Sequence, residues 1–263
     1  MLQNNFLSNV AQWRLTTAVG VKLVTNNEVV HLAKGAGYDC LFIDLEHSTL
    51  SLLDASRLCS AGLMAQITPF VRVPWQCGNG FVGRVLDGGA CGIVFPHIST
   101  VEDARDAVSA CKFPPLGKRS LTAALPHFNF QRTSPAEVTQ TINNVGSTVI
   151  VMIETPQALD NIDAIAAVEG VDILLLGAND LSLEVGIPGD WDHAEFRNAL
   201  TKIAAACQDH AKCFGIAGIY TRPAVCQWAV QELGARFVLG HLDIGLLAMA
   251  MNRNAEMLRD LEK

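Results

Sequence analysis

The chain has 263 residues, half of them apolar and 17% charged, with a formal net charge of −7. That balance supplies a large core for one domain over 1–263 and excludes a nucleic-acid surface, which needs a basic face. No apolar run is long enough to span a bilayer, and the start, MLQNNFLSNVAQWR, lacks the layout of a signal peptide, so a cytoplasmic protein is expected. Eight cysteines, none in a C-x-x-C pair and most beside apolar neighbours, read as buried reduced thiols.

Short apolar runs alternate with longer amphipathic stretches. Residues 16–24 (TTAVGVKLV) predict a strand, and 26–36 a helix closed by Gly37. Strands follow at 40–46, 67–73 and 92–96. A helix over 99–112 takes Ser99 or Thr100 as N-cap, with acids in its first turn. Strands at 148–154 and 172–177 bracket a helix over 155–170 that begins at Pro156 and stops before Gly170. Strands at 213–219 and 236–240 bracket another over 221–234, with Pro223 and Gly234 in the same places.

The runs are rich in Val, Ile, Leu and Phe and too short for buried helices, as parallel strands covered on both faces should be. Eight strands alternating with helices predict a closed α/β fold, the (β/α)8 TIM barrel. One stretch, 97–147, breaks the rhythm. It should begin and end in helix, but its Pro- and aromatic-rich middle is too long for a simple connection. A functional loop near the active site is expected there, against the alternative of a surface excursion.

Such barrels place their active sites at the C-terminal ends of the strands. Strand two ends in Asp44, Glu46 and His47, strand three in Arg72, strand four in Pro96 and His97, strand five in Glu154, and strand six in Gly177 to Asp180. Glu154 and Asp180 terminate consecutive strands, so their carboxylates can converge on a hard divalent cation. Asp180 also suits a plain first-turn helix residue. Arg72 can fork onto a substrate carboxylate or pair with Asp44 or Glu46. His47 is the candidate base, with His97 and His127 behind it. His31, His193, His210 and His241 read as helix or surface residues.

The runs GYDCLFIDLEHSTLS, PFVRVP, VLDGGACGIVFPHIST, KFPPLGKRS and VIVMIETPQALDNIDAIAAVEGVDILLLGANDLS, in that order, resemble the HpcH/HpaI aldolase family of the phosphoenolpyruvate/pyruvate barrel superfamily. The D-x-E-H, V-R-x-P, I-E-T and G-x-x-D-L-S signatures carry the resemblance together, and it extends from about residue 15 to residue 250. It implies a class II, metal-dependent aldolase that makes or cleaves a 4-hydroxy-2-oxo acid to or from pyruvate and an aldehyde through an enolate. Glu154 and Asp180 would hold Mg²⁺, Mn²⁺ or Co²⁺, and Arg72 would grip the α-keto acid. His47 would be the acid/base, and Asp87 would orient it. The amides around Gly177 and Ala178 would cradle the pyruvate carboxylate.

The resemblance also implies a homohexamer built as a trimer of dimers that exchange their C-terminal helix. Met152, Asn179, Ser120 and His97 depart from the family's usual residues. They are expected around the pocket, where they bear on the acceptor. Two rivals stand: a Claisen-type, citrate-synthase-like enzyme or oxaloacetate decarboxylase on the same scaffold, and a barrel that binds a metabolite without turnover.

Overall fold

A computed structural model describes residues 2–262. Its centre is a closed barrel of eight parallel strands in sequential order: β1 (Thr16–Val21), β2 (Cys40–Asp44), β3 (Thr68–Arg72), β4 (Gly92–Phe95), β5 (Thr148–Ile153), β6 (Ile173–Gly177), β7 (Cys213–Ala217) and β8 (Phe237–Leu242). Every strand expected from the apolar runs is present. β1 stops three residues short of its predicted end and β8 runs two past its own.

A helix α1 (Asn5–Val10) precedes the first strand; it was not expected from the sequence. The others are α2 (Glu28–Gly35), α3 (Leu52–Ala65), α4 (Asn79–Asp87), α5 (Val101–Cys111), α6 (Pro135–Asn144), α7 (Pro156–Asp160), α8 (Ile162–Ala166), α9 (Ala178–Glu184), α10 (Ala194–Asp209), α11 (Pro223–Gln231) and α12 (Asp243–Asp260). Thr100 caps α5 and forms a reciprocal capping box with Asp103, so the N-cap choice falls on Thr100. The single helix predicted over 155–170 is instead α7 and α8, broken at Asn161. The Asn161 side chain donates to the Ser99 carbonyl at 2.8 Å, and this tie is made where the helix is interrupted.

The two-residue period of a strand sorts the core. Leu41 and Ile43 face outward into the large apolar layer between strands and helices. Phe42, Phe70, Ile150, Met152 and Leu175 face inward and fill the barrel. The lower end is closed by α1. Its Phe6 ring meets Phe70 and Phe237 edge-on, at 6.1 and 6.2 Å, contacts worth roughly 0.5–1.5 kcal/mol each beyond area burial. Asn4 and Asn5 tie the plug to Thr148 and Thr68, at the starts of β5 and β3.

Two regions differ from expectation or stand apart. The middle of 97–147 does not reach the upper mouth. Phe113, Leu125, Val138 and Ile142 pack into a separate small core, and His127 binds the Ala90 carbonyl below β4. The last helix, α12, buries only Asp243 along its length and leaves Ile244, Leu247, Met249, Met251, Met257 and Leu258 exposed. Among the described residues no helix is long and apolar enough to cross a membrane.

Candidate active site

The parity that fills the barrel also builds its upper mouth. Two residues above Phe42 the inward column continues with Asp44 and then Glu46. Above Phe70 comes Arg72, above Met152 comes Glu154, and above Leu175 comes Gly177. Asp44 and Arg72 are register partners across β2 and β3. Arg72 forks onto Asp44 through Nε (3.0 Å) and Nη2 (2.8 Å), and its Nη1 reaches Glu46 Oε2 at 3.1 Å. Asp44 Oδ1 also accepts the amides of Glu46 and His47.

Burial pushes the Asp44 carboxyl up, but the Arg72 fork and those two amides overcome it and leave it below its ordinary range. The ion pair with neighbouring acids and a position in the mouth are therefore both true of Arg72.

Glu154 stands just above β5 and is almost wholly buried. Its Oε1 accepts the His97 amide at 2.6 Å and lies 3.4 Å from His97 Nδ1. Its Oε2 is buried without a hydrogen-bond partner. Beside it is Gly177, where a Cβ would run into that oxygen. Burial raises the Glu154 carboxyl above its ordinary value; His97 and Arg72 pull it down and Asp180 pushes it up further. Burial likewise leads in raising Glu46. Three carboxylates, Asp44, Glu46 and Glu154, thus act on a single guanidinium, and Asp180 acts on Glu154. An orphaned buried carboxylate oxygen, with Asp180 sharing the cleft and no side chain at Gly177 to fill the space, is a donor set that fits a hard divalent cation.

The cleft has a volume of about 380 Å³. Of the expected residues it brings together His47, Arg72, Met152, Gly177, Ala178, Asn179 and Asp180. His47 is half exposed, its Nε2 3.6 Å from Glu46 Oε2. His97, a departure at the sequence level, bridges Glu46 (3.6 Å) and Glu154 and sits against the Trp75 ring. Its backbone is left-handed, with φ of 54°.

Asp87 and Ser120 are not at this mouth. Asp87 ends α4, which runs antiparallel to the strands, so it lies at the lower end of the barrel and pairs with Arg119 Nη2 at 2.8 Å. The placement follows from topology, since a residue closing a helix before a strand sits at that strand's start. Ser120 is exposed and follows Arg119, whose amide bonds the Lys112 carbonyl beside the C-terminus of α5. His127 is buried at that same lower end.

Sequence reasoning missed the far wall. Lys22, Tyr220, Leu239 and Leu242 line the cleft from β1, the loop after β7, and β8. His241, expected at the surface, stacks on Tyr220 with ring centroids 4.8 Å apart. Lys22 was already in the text of a predicted strand end, and its charge in an apolar run was the available signal.

An eight-stranded barrel with Arg72 and Asp180 lining its C-terminal mouth, and Glu154 buried close to both, carries its polar cluster where enzymes of this architecture carry their active sites. Residues 23–230 match the HpcH/HpaI aldolase/citrate lyase family model, and the chain belongs to that family. It is 53% identical to a 4-hydroxy-4-methyl-2-oxoglutarate aldolase of Chaetomium globosum, over 94% of this chain and 92% of that one. It is 52% identical to a protein of the same description from Hapsidospora irregularis, over 93% and 91%. An HpcH/HpaI aldolase crystal structure from Desulfitobacterium hafniense superposes with a TM-score of 0.89 at 28% identity, covering 96% of both chains. The chain is an aldolase, a carbon–carbon lyase acting on 4-hydroxy-2-oxo acids, in a family whose class II members depend on a divalent metal.

Proposed function

We propose that the chain cleaves a branched 4-hydroxy-2-oxo acid of the 4-hydroxy-4-methyl-2-oxoglutarate type, with pyruvate as one product, and that Glu154 and Asp180 hold the divalent metal. The observation that carries the metal assignment is the orphaned, buried Oε2 of Glu154 beside Gly177. No set of three or more His, Cys, Asp or Glu side chains is gathered around a metal position among the described residues. This suits a cation held by two carboxylates with its other positions left to small-molecule oxygens, as Mg²⁺, Mn²⁺ or Co²⁺ accept.

The chemistry a bound metal supplies is Lewis-acid polarisation of the 2-oxo group. Arg72 presents its remaining N–H donors and its charge to the enolate oxygen as it develops. The backbone amides of Gly177 and Ala178 face the carboxylate, and Met152 and Asn179 shape the space around it. His47 takes the 4-hydroxyl proton on a ring nitrogen. The C3–C4 bond breaks with its electron pair passing to C3, the hydroxyl carbon becomes a carbonyl, and a proton returned to C3 gives pyruvate.

Asp87, at the lower end of its own barrel, orients His47 only from another copy of the chain. The apolar face of α12, uncovered in one chain, supports the same reading. Dimers exchanging that helix, three to a hexamer, are the assembly we propose. Eight free thiols, six of them buried, support a reducing cytoplasmic setting.

The test is pyruvate release from 4-hydroxy-4-methyl-2-oxoglutarate before and after chelation, with metals added back singly. Activity lost to the chelator and restored by metal is expected. Full rate with no metal by elemental analysis overturns the metal reading. Thiol release from acetyl-coenzyme A with oxaloacetate, without pyruvate release, would transfer the enzyme to the Claisen class.

A further inference from the structure

The cleft has two walls of opposite character. From β2 through β6 come Asp44, Arg72 and Asp180, with Glu46 and Glu154 acting on Arg72, a cluster rich in acid. Across the mouth, β7, β8 and β1 contribute Tyr220, Leu239, Leu242 and Lys22.

On that second wall Lys22 is a cation without an anion. Its Nζ makes no hydrogen bond or ion pair among the described residues, although it lines a cleft that holds carboxylates on the other side. The nearest acid in the fold's bonding pattern, Asp243, is already consumed. Its two oxygens accept the backbone amides of Lys22 (3.1 Å), Leu23 (3.0 Å), Val24 (2.8 Å) and Ile244 (2.8 Å). Those bonds fix the β1 exit and hold the Lys22 backbone in place, so the side chain is presented from a rigid base.

On the same wall the Tyr220 ring is clamped against His241 at an interplanar angle of 14°. Burial raises the Tyr220 phenol above its ordinary range, which keeps it a protonated donor. Arg72 is differently placed. Its Nε, Nη1 and Nη2 all contact protein carboxylates, so its charge is largely answered before any substrate enters.

We infer that Lys22, on the same wall of the cleft as Tyr220, is the receptor for the second carboxylate, on the acceptor half, of the diacid substrate proposed above. The inference rests on the aldolase reading for the orientation of the substrate: oxo-acid end toward Glu154 and Asp180, acceptor end toward β8 and β1. A lone ammonium on a wall that otherwise offers one phenol and two leucines takes a carboxylate on a short carbon chain better than it takes a polyhydroxylated chain, which needs several paired donors and acceptors. The leucines would cover the branch carbon and the ammonium the terminal charge.

The test uses Lys22→Met, Lys22→Arg and Tyr220→Phe in the metal-loaded enzyme. Two measurements are made on each. One is the ratio of kcat/KM for a 4-hydroxy-2-oxo diacid to that for a 4-hydroxy-2-oxo monoacid of equal length. The other is the ratio of calorimetric affinities for 2-oxoglutarate and 2-oxobutyrate. A charge-assisted hydrogen bond is worth about 1.5–3 kcal/mol, so Lys22→Met should lower the diacid preference roughly 10- to 100-fold. Lys22→Arg should keep most of the preference, and Tyr220→Phe should lose a smaller part. An unchanged preference in Lys22→Met, or a wild type with none, overturns the inference. If wild-type protein turns over neither hydroxy acid yet its binding preference still depends on Lys22, the aldolase reading falls and the carboxylate receptor stands.

Discussion

Each end of the barrel buries an arginine against an aspartate and an aromatic ring, with a histidine close by, and the two ends use these parts differently. At the upper end Arg72 lies 5.6 Å from the Phe42 centroid and is engaged by Asp44 and Glu46, with Glu154 and Asp180 beyond. At the lower end Arg119 lies 4.9 Å from the Phe113 centroid and binds Asp87 through Nη2 alone, while its Nε and Nη1 are buried without partners. The upper cluster has carboxylate in excess and calls for a cation. The lower one has donors in excess. The same residue types leave a carboxylate oxygen unanswered at one end and guanidinium donors unanswered at the other.

The largest effect should come from removing acids of the upper cluster. Glu154→Ala or Asp180→Ala should abolish aldol cleavage to the limit of detection, and elemental analysis should show the divalent metal lost with it. The fold should survive, because deleting Glu154 relieves a carboxylate that burial already penalises. A Glu154→Ala protein that keeps both its metal and its rate would put the reactive centre elsewhere in the barrel.

The next effect separates base from metal within the upper cluster. His47→Ala should slow aldol cleavage by ~10²–10⁴-fold, the usual worth of general acid–base catalysis. Oxaloacetate decarboxylation removes no hydroxyl proton and should fall far less in the same protein. Equal losses in both reactions would show a damaged pocket instead of a missing base. His47 is the half-exposed member of its cluster, and its backbone amide alone is tied to Asp44, so the substitution should leave the Asp44–Arg72 pair standing.

The contrast between the ends also marks what could be read from sequence. The upper cluster was legible because strand parity is strict: once Phe42, Phe70 and Met152 are assigned inward, Asp44, Arg72 and Glu154 follow at two-residue steps. The position of Asp87 was not legible, since a motif gives order along the chain and not the end of the barrel to which an antiparallel helix returns. The helix α1 lay in a stretch with too little periodicity to announce it, and it is explained by the Phe6 contacts and the Asn4 and Asn5 bonds to distant strands. Asn161 broke a predicted helix through a bond to Ser99, 62 residues earlier, which no local propensity encodes. His241 read as a helix or surface residue because its partner, Tyr220, comes from the loop after a different strand. Lys22 had no motif at all; its meaning comes from what β7 and β8 place on the same wall of the cleft.

The smallest effect belongs to the lower end and is one of stability. His127 is buried, with Nε2 bonded to the Ala90 carbonyl at 2.9 Å and Nδ1 without a partner. Burial leads in depressing its pKa from 6.5 to about 4, and the Arg119 charge adds to the effect. The folded protein therefore holds His127 neutral at a pH where the unfolded chain has already bound a proton. With the folded value depressed, the contribution is fully present above the unfolded pKa near 6.5 and is lost as pH falls toward about 4. Across the whole window this amounts to about 3 kcal/mol, of which about 2 kcal/mol should be gone by roughly pH 5. Other groups titrate in the same range, so the measurement is a difference: chemical denaturation of wild type and His127→Gln at about pH 7.5 and about pH 5. Glutamine keeps a donor for Ala90 and cannot take up a proton, so its curve should lose the acid-sensitive part while activity at neutral pH is retained. Parallel pH dependence in the two proteins would show that His127 is protonated as easily folded as unfolded, and the lower cluster would then be open to water instead of sealed beneath the barrel.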